Sequence, residues 1–332
     1  MEGKKKLKKK GPFLVKELKA LSPGTQIWGK YLVLNKVQRK TRDGREIIDL
    51  KLGDSSGTID SIVWDNCSVT GDIINGSIVG LLGDIMVYNN RLQVTAKRIK
   101  ILEEDISPYL KTPPAGMDSL VKKFDQVIEQ VIDPYLSKLL QKIFTEETRE
   151  RFFRAPAAKM IHHNYYGGLL EHTLSVAALC SKAADEYQEI NRDILLAGAL
   201  LHDIGKIAEY EMQTSPQYTV KGRLIGHIVI GSELISNAID NMRKEGINFP
   251  DELDWMLRHM ILSHHGRLEF GSPVIPLFPE AFVLYMMDNL DAKMYVFKDK
   301  LEDNEGSEEL FTNYDQFFEQ IFFKYRYQPT ND

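Results

Sequence analysis

Cysteine is scarce in these 332 residues: Cys67 and Cys180 are the only two, far apart and outside any metal-ligand spacing. That excludes a disulfide framework or a zinc knuckle and fits a reducing compartment with free thiols. Long apolar runs are missing as well, none approaching the roughly 20 residues needed to span a bilayer. No apolar stretch follows the N-terminal lysine run, so we expect no secretory signal and a cytoplasmic protein. Internal repeats are absent, and low complexity is confined to the lysine run. No Ser-His-Asp or Cys-His set is visible, so nothing points to a protein nucleophile.

What is there is an ordinary globular composition, 43% hydrophobic and 27% charged, in a chain long enough for two domains. The net charge of −5 hides an uneven distribution. Residues 1–103 carry roughly eight more Lys and Arg than Asp and Glu, and the remainder is acidic by about thirteen. Six of the lysines crowd Lys4 to Lys10. Composition alone makes such a tail solvated and disordered. A basic first third joined to an acidic remainder also suits a nucleic-acid-gripping module tied to a metal-binding one.

From Phe13 to Leu102 the texture is that of strands. Thr25–Val33, Glu46–Leu52, Thr58–Trp64, Ser77–Asp84 and Arg91–Ile99 are short and rich in Ile, Val, Leu and Tyr. Turn signals separate them at Arg42-Asp43-Gly44-Arg45, Asp54-Ser55-Ser56-Gly57 and Tyr88-Asn89-Asn90-Arg91. Asp60, Ile62 and Trp64 alternate with Ile59, Ser61 and Val63, as in a half-buried strand. The pattern fits a small closed barrel, first an OB-fold and second an SH3-like barrel. Prolines at Pro108, Pro113 and Pro114 mark a linker. The expected division is a basic tail at 1–12, a barrel at 13–103, a linker at 104–117 and an all-α bundle at 118–332.

Helical periodicity then dominates. A helix is expected from Asp118 to Ile132 and another opening on Pro134, with later ones at Leu169–Tyr187, Asp193–Glu211, Leu224–Glu245, Pro250–His264 and Pro279–Asp299. His202-Asp203 falls inside the mostly apolar segment from Asp193 to Tyr210. One nitrogen beside one anionic oxygen suits a hard or borderline divalent metal. Burying that pair in an apolar helix is costly unless something is bound to it, which points to a metal-dependent hydrolase. His172, His227, His264-His265 and Asp288 sit on neighbouring helices. Singly, each is more often a satisfied core or surface residue than a ligand. Antiparallel helices of one bundle, however, bring such residues to a common centre.

The ordered series His172, His202-Asp203, His227, His264-His265 and Asp288 resembles that of the HD-domain metal phosphohydrolases, in the variant with extra histidines for a second metal. Tyr165-Tyr166-Gly167-Gly168-Leu169-Leu170-Glu171-His172-Thr173, Leu201-His202-Asp203-Ile204-Gly205-Lys206, Leu224-Ile225-Gly226-His227 and Ser263-His264-His265-Gly266 are similar to the YhaM-type 3′→5′ exoribonucleases of bacteria. So is the order of an OB-fold followed by an HD domain. The resemblance implies a first metal on His172, His202, Asp203 and Asp288, with Asp203 bridging to a second on His227, His264 and His265. Asp291 is the rival to Asp288 and otherwise supports the ligands. Two metals about 3.5–4 Å apart share and activate a hydroxide for in-line attack at phosphorus. The donor set favours Mn²⁺ first, then Fe²⁺, Co²⁺ or Ni²⁺.

Around this set, Lys206 lies one turn beyond Asp203 and is expected to contact a phosphate oxygen. His162, His163, Tyr165 and Tyr166 precede His172 and are candidates to line the approach, although packing accounts equally well for the tyrosines. His259, Met286, Met287 and Met294 read as structural. In the barrel, Trp28, Tyr31, Trp64 and Tyr88 are candidates for base stacking. Lys30, Lys36, Arg39, Lys40, Arg42, Arg45 and Arg91 are candidates for phosphate contacts. A barrel of this size needs a core, so about half of those aromatics should be buried.

The resemblance implies a 3′→5′ exonuclease that degrades single-stranded RNA, and also single-stranded DNA, to nucleoside 5′-monophosphates. Two other readings remain open. One is an HD phosphodiesterase acting on cyclic dinucleotides or free nucleotides, against which His265 is followed by Gly266-Arg267 and not by Gly-Tyr-Pro. The other is a non-catalytic nucleic-acid-binding factor. A lone OB-fold offers few phosphate contacts, so a homo-oligomer would help processivity.

Overall fold

In the computed structural model, the described residues are 11–41, 44–88, 91–110, 113, 115–158, 165–212, 216–302, 309–315 and 318–325. They form two compact units, Met1–Met117 with Glu211–Gln217, and Asp118–Tyr210 with Tyr218–Asp332. No described helix is long and apolar enough to cross a membrane.

The first unit opens with a one-turn helix, α1 (Val15–Leu18), followed by β1 (Gln26–Lys40), β2 (Glu46–Asp54), β3 (Gly57–Thr70), β4 (Ile78–Tyr88) and β5 (Arg91–Leu102). These close into a barrel in the order β1-β2-β3-β5-β4. Every pairing is antiparallel except β3 with β5. The first half of β1 pairs with β4, as in Trp28↔Leu82, and the second half with β2, as in Val37↔Asp49. An irregularity between Val33 and Asn35 bends the strand where it changes neighbour. Ile59, Ser61 and Val63 of β3 point inward while Ile62 and Trp64 are half-buried and Asp60 is exposed. With Ile27, Val33, Leu50, Leu52, Leu81, Ile85, Val94 and Ile99 they build the barrel core, which Val15 and Leu18 of α1 plug. Each such side chain contributes about 1.5–3 kcal/mol of burial. The strands run longer than expected at their C-terminal ends, because a two-stranded ribbon stays paired past the point where alternation of burial stops.

The second unit contains α2 (Met117–Glu129), α3 (Pro134–Ile143), α4 (Glu146–Arg154), α5 (Gly168–Glu186), α6 (Arg192–Leu201) and α7 (Lys206–Glu209). In chain order a small hairpin follows, β6 (Tyr210–Met212) and β7 (Pro216–Tyr218), whose residues Glu211–Gln217 group with the first unit; the second unit then continues with α8 (Val220–Ile225), α9 (His227–Lys244), α10 (Asp251–Ser263) and α11 (Pro279–Glu302). Asp133 caps α3 by accepting from the Tyr135 and Leu136 amides, with Pro134 in the first turn. Helix α2 begins one residue before Asp118, which sits in its first turn. The short α4 has its own local signals: Thr145, whose side chain accepts from the Thr148 amide, acids in the first turn and arginines in the last. Phe124, Phe144 and Phe152 pack edge to face or tilted beneath it.

Two expected helices are broken. The one from Asp193 to Glu211 stops at Leu201, and His202–Gly205 form a turn closed by the Lys206 amide donating to the Asp203 carbonyl at 2.9 Å. The His-Asp pair therefore stands at the end of a buried helix and not in its middle. The one from Leu224 to Glu245 is interrupted at Gly226, whose φ of 77° a side chain would resist. Both breaks aim ligand-type side chains inward. Packing of α5 on α6 and α11, and of α9 on α10, brings those breaks together.

Candidate metal centre

The turn after α6 reaches the start of α9 through a close approach. A Cβ at Gly205 would lie 2.0 Å from the His227 carbonyl oxygen and 2.7 Å from the Gly231 nitrogen. Only glycine fits there, and the contact sets Asp203 against His227. The two oxygens of Asp203 then face different groups. Oδ2 lies 3.2 Å from His202 Nε2, 3.6 Å from His172 Nε2 and 2.6 Å from Lys206 Nζ. Oδ1 lies 3.5 Å from both His227 Nε2 and His264 Nε2. The sequence candidates thus gather into two groups whose ligand atoms lie within 4.8 Å of one another: His172, His202 and Asp203, and His227, His264 and His265.

Each imidazole is held from behind by its other nitrogen. His202 Nδ1 donates to the Ala199 carbonyl at 2.8 Å, His264 Nδ1 to Ile261 at 2.6 Å and His265 Nδ1 to Phe270 at 2.8 Å. His227 Nδ1 is held at 3.0 Å by Glu209, and His172 Nδ1 at 2.7 Å by Asp291. For His202, His227, His264 and His265 these partners occupy Nδ1 and leave Nε2 facing the centre, whereas His172 has a carboxylate at each nitrogen. The α11 carboxylates are sorted by the same geometry: Asp288 Oδ1 is 3.1 Å from His172 Nε2, on the inner side, while Asp291, which accepts from the Ser175 hydroxyl, backs the ring.

Burial alone would depress the His172 imidazole, but Asp288 and Asp291 on either side push it up to about 9. Its proton is the positive charge between two carboxylates, a place a divalent cation would compete for. Burial opposes ionisation of Asp203, yet Lys206 and His202 hold its carboxyl well below the usual range. Asp288 is likewise lowered, against burial, by its bond to His172. His265 is pushed down to about 3, first by burial and then by His264, so it offers a neutral nitrogen. Asp203 Oδ1, His227 Nε2 and His264 Nε2 are buried with no hydrogen-bond partner among the described residues. Leaving such groups unsatisfied costs about 1–3 kcal/mol each. Neutral imidazoles and carboxylate oxygens converging without partners are the donor set a divalent cation requires. The residues present fit one.

One contributor escapes the sequence reading. Glu209 is buried and accepts from both the His227 amide at 3.0 Å and its Nδ1. Nothing local marks it, because its partner lies 18 residues on. Lys206 is buried, its ammonium donating to Asp203 Oδ2 at 2.6 Å. Tyr166 is half-buried, whereas Tyr165 is buried with its hydroxyl on Glu171. His259 accepts from the Leu277 amide, a structural role. His162, His163, Arg42, the lysine tail and the Arg91 side chain lie outside what is described.

On the barrel, the structure removes Tyr31 from the stacking candidates. It is fully buried and its hydroxyl donates to the Phe13 carbonyl at 2.9 Å. Its parity with Ile27 and Val33, both inward, is the sequence signal for that burial. Trp28 and Trp64 are half-buried, Trp64 carries the Arg45 guanidinium 5.2 Å from its ring centre, and Tyr88 is 65% exposed. Of the expected phosphate contacts, Arg39 is paired with Asp49, Lys40 with Glu46 and Lys30 with Glu104, while Lys36 donates to the Ile73 carbonyl. The surface pairs are solvent-screened and exchangeable.

Comparison with known proteins adds to this geometry. Residues 169–293 match the HD domain family, and residues 33–102 match the OB-fold nucleic acid binding domain family. The second match decides for the OB-fold over the SH3-like barrel. A 3′-5′ exoribonuclease YhaM from Geobacillus sp. (strain WCH70) is 34% identical over 278 residues, 82% of this chain and 84% of that protein. Among solved structures, an OB domain from Methanosarcina mazei is 23% identical, covering 31% of this chain and 95% of its own, with a TM-score of 0.26. The second OB-fold domain of replication protein A from Methanococcus maripaludis is 20% identical, covering 26% and 91%, with a TM-score of 0.21.

Proposed function

The chain belongs to the YhaM-type 3′-5′ exoribonuclease family, with an OB-fold barrel and an HD domain, and on that premise we propose that it hydrolyses single-stranded RNA from the 3′ end to nucleoside 5′-monophosphates. Single-stranded DNA is a second substrate in this reading, since stacking and phosphate contacts do not need the 2′-hydroxyl. His172, His202, Asp203 and Asp288 hold one divalent cation, and Asp203, His227, His264 and His265 hold another. When bound, the cations supply the Lewis acidity that turns water into the nucleophile and offsets charge on the phosphate. A mixed nitrogen and oxygen donor set suits Mn²⁺, Fe²⁺, Co²⁺ or Ni²⁺ better than Mg²⁺, and Mn²⁺ is our first choice.

The chain's own residues do the rest. The carbonyl and carboxylate tethers on Nδ1 keep the imidazole rings aimed. Lys206 brings a buried ammonium to within 2.6 Å of Asp203, where it is placed to meet a non-bridging phosphate oxygen. The barrel binds the strand through Trp28, Trp64, Tyr88 and exchangeable cations. The scarcity of cysteine favours the cytoplasm, and a homo-oligomer would add phosphate contacts.

The observation that carries this reading is Asp203, whose two oxygens face two separate histidine groups. RNA oligomers labelled at either end test it. With Mn²⁺, the 3′ label should leave at once as a mononucleotide while the 5′ label shortens step by step, and a chelator should stop both. Internal cuts, or activity undiminished after chelation, would contradict it.

A further inference from the structure

We propose that two arginine–aromatic pairs, Arg223 on Tyr218 and Arg267 on Phe270, seat the 3′-terminal bases of the single-stranded substrate, one on each side of the scissile phosphate. The proposal rests on the exonuclease reading above. Access to the centre sets the direction of the argument. His172, His202 and His264 are fully buried, whereas His227 and His265 are only partly so and their rings are 5.3 Å apart. Substrate therefore enters on the His227/His265 side, and one of the pairs lies just before His227, on β7 and α8, and the other just after His265.

On the His227 side, α8 is pinned to the residue that orients the histidine. The Thr219 amide donates to the Glu209 carbonyl at 3.0 Å, and a Cβ at Gly222 would lie 2.3 Å from that same oxygen. Arg223, exposed on this pinned turn, holds its guanidinium 5.2 Å from the Tyr218 ring centre. Tyr210, next to Glu209, stacks 4.9 Å away on Tyr218. On the His265 side, the Phe270 carbonyl is the acceptor for His265 Nδ1. Its ring is 56% exposed with Arg267 6.0 Å above it.

These arginines differ from the barrel's cations. Residues 104–332 are acidic by about thirteen charges, yet among the described residues neither Arg223 nor Arg267 forms an ion pair. An exposed guanidinium held over an aromatic ring is positioned to take a base plane on its outer side or a phosphate at its edge. Stacking is tolerant of base identity, so such a seat receives any unpaired 3′ end and excludes a duplex.

The test compares two ligands that differ by a base. Adenosine 5′-monophosphate and ribose 5-phosphate are titrated calorimetrically onto the full-length, Mn²⁺-loaded protein, wild type and Arg223→Lys/Arg267→Lys. Bound metal is measured in both. We expect the wild type to bind the nucleotide roughly five- to a hundredfold more tightly than the sugar phosphate, the range of one stacked base. The double lysine variant should lose most of that preference while keeping its metal and its affinity for ribose 5-phosphate, because charge stays and the plane goes. Equal affinities in the wild type, or a preference untouched in the variant, would overturn the seat. Loss of metal together with both ligands would also overturn it, by making the arginines supports of the centre. Failure of the end-label assay would instead strike the exonuclease reading.

Discussion

Charged groups are handled in opposite ways in the two units. On the barrel they lie at the surface and find partners: Lys30 with Glu104, Arg39 with Asp49, Lys97 with Asp84. In the helical unit Asp203 and His264 are buried and His227 nearly so, and some of their polar atoms have no hydrogen-bond partner among the described residues. Exposed pairs cost little and contribute little. Buried orphans are expensive, and three of them converging on one point call for a ligand. Chemistry is therefore expected where satisfaction is missing, and adaptable binding where it is complete but weak.

The largest effect expected from this contrast is at Asp203. Asp203→Ala should abolish release of the 3′ label, because one carboxylate serves both histidine groups; residual turnover with full metal occupancy would break the picture. Next comes Glu209→Gln, which removes the charge behind His227. Competition titration with Mn²⁺ should show one site weakened about ten- to a hundredfold, the usual effect of losing a ligand's supporting partner. An unchanged affinity would mean that Glu209 serves only the fold.

Barrel substitutions should act more mildly. Trp64→Ala should weaken RNA binding by about 1–3 kcal/mol, read by fluorescence anisotropy, and leave metal content alone. Tyr31→Phe should cost about 1 kcal/mol in denaturant unfolding, since the Phe13 carbonyl loses its donor, with RNA affinity unchanged. If Tyr31→Phe weakened RNA binding as much as Trp64→Ala, the division of barrel aromatics into core and surface would be wrong.

Much of this architecture is legible in the amino-acid sequence. Apolar composition and turn signals locate the five strands, and parity with Ile27 and Val33 puts Tyr31 among the inward residues, against its place among the stacking candidates. The ordered histidines mark the helices that supply the centre. What local pattern does not reveal are features decided by contact. The break at His202–Gly205 exists because α9 crowds Gly205, which no apolar periodicity records. Asp288 and Asp291 share a face of α11, and only the two nitrogens of His172 tell them apart. Glu209 looks like any acid at a helix end until His227 comes back to it through the hairpin and α8.

The central claim is that two cations meet at Asp203. Equilibrium dialysis of the full-length protein against Mn²⁺, with bound metal counted per chain, tests it most directly. The account predicts two ions per chain in the wild type, falling to one in His265→Ala, with the remaining ion on the His172 side. A wild type that binds a single ion, or a His265→Ala protein that keeps both, would contradict it.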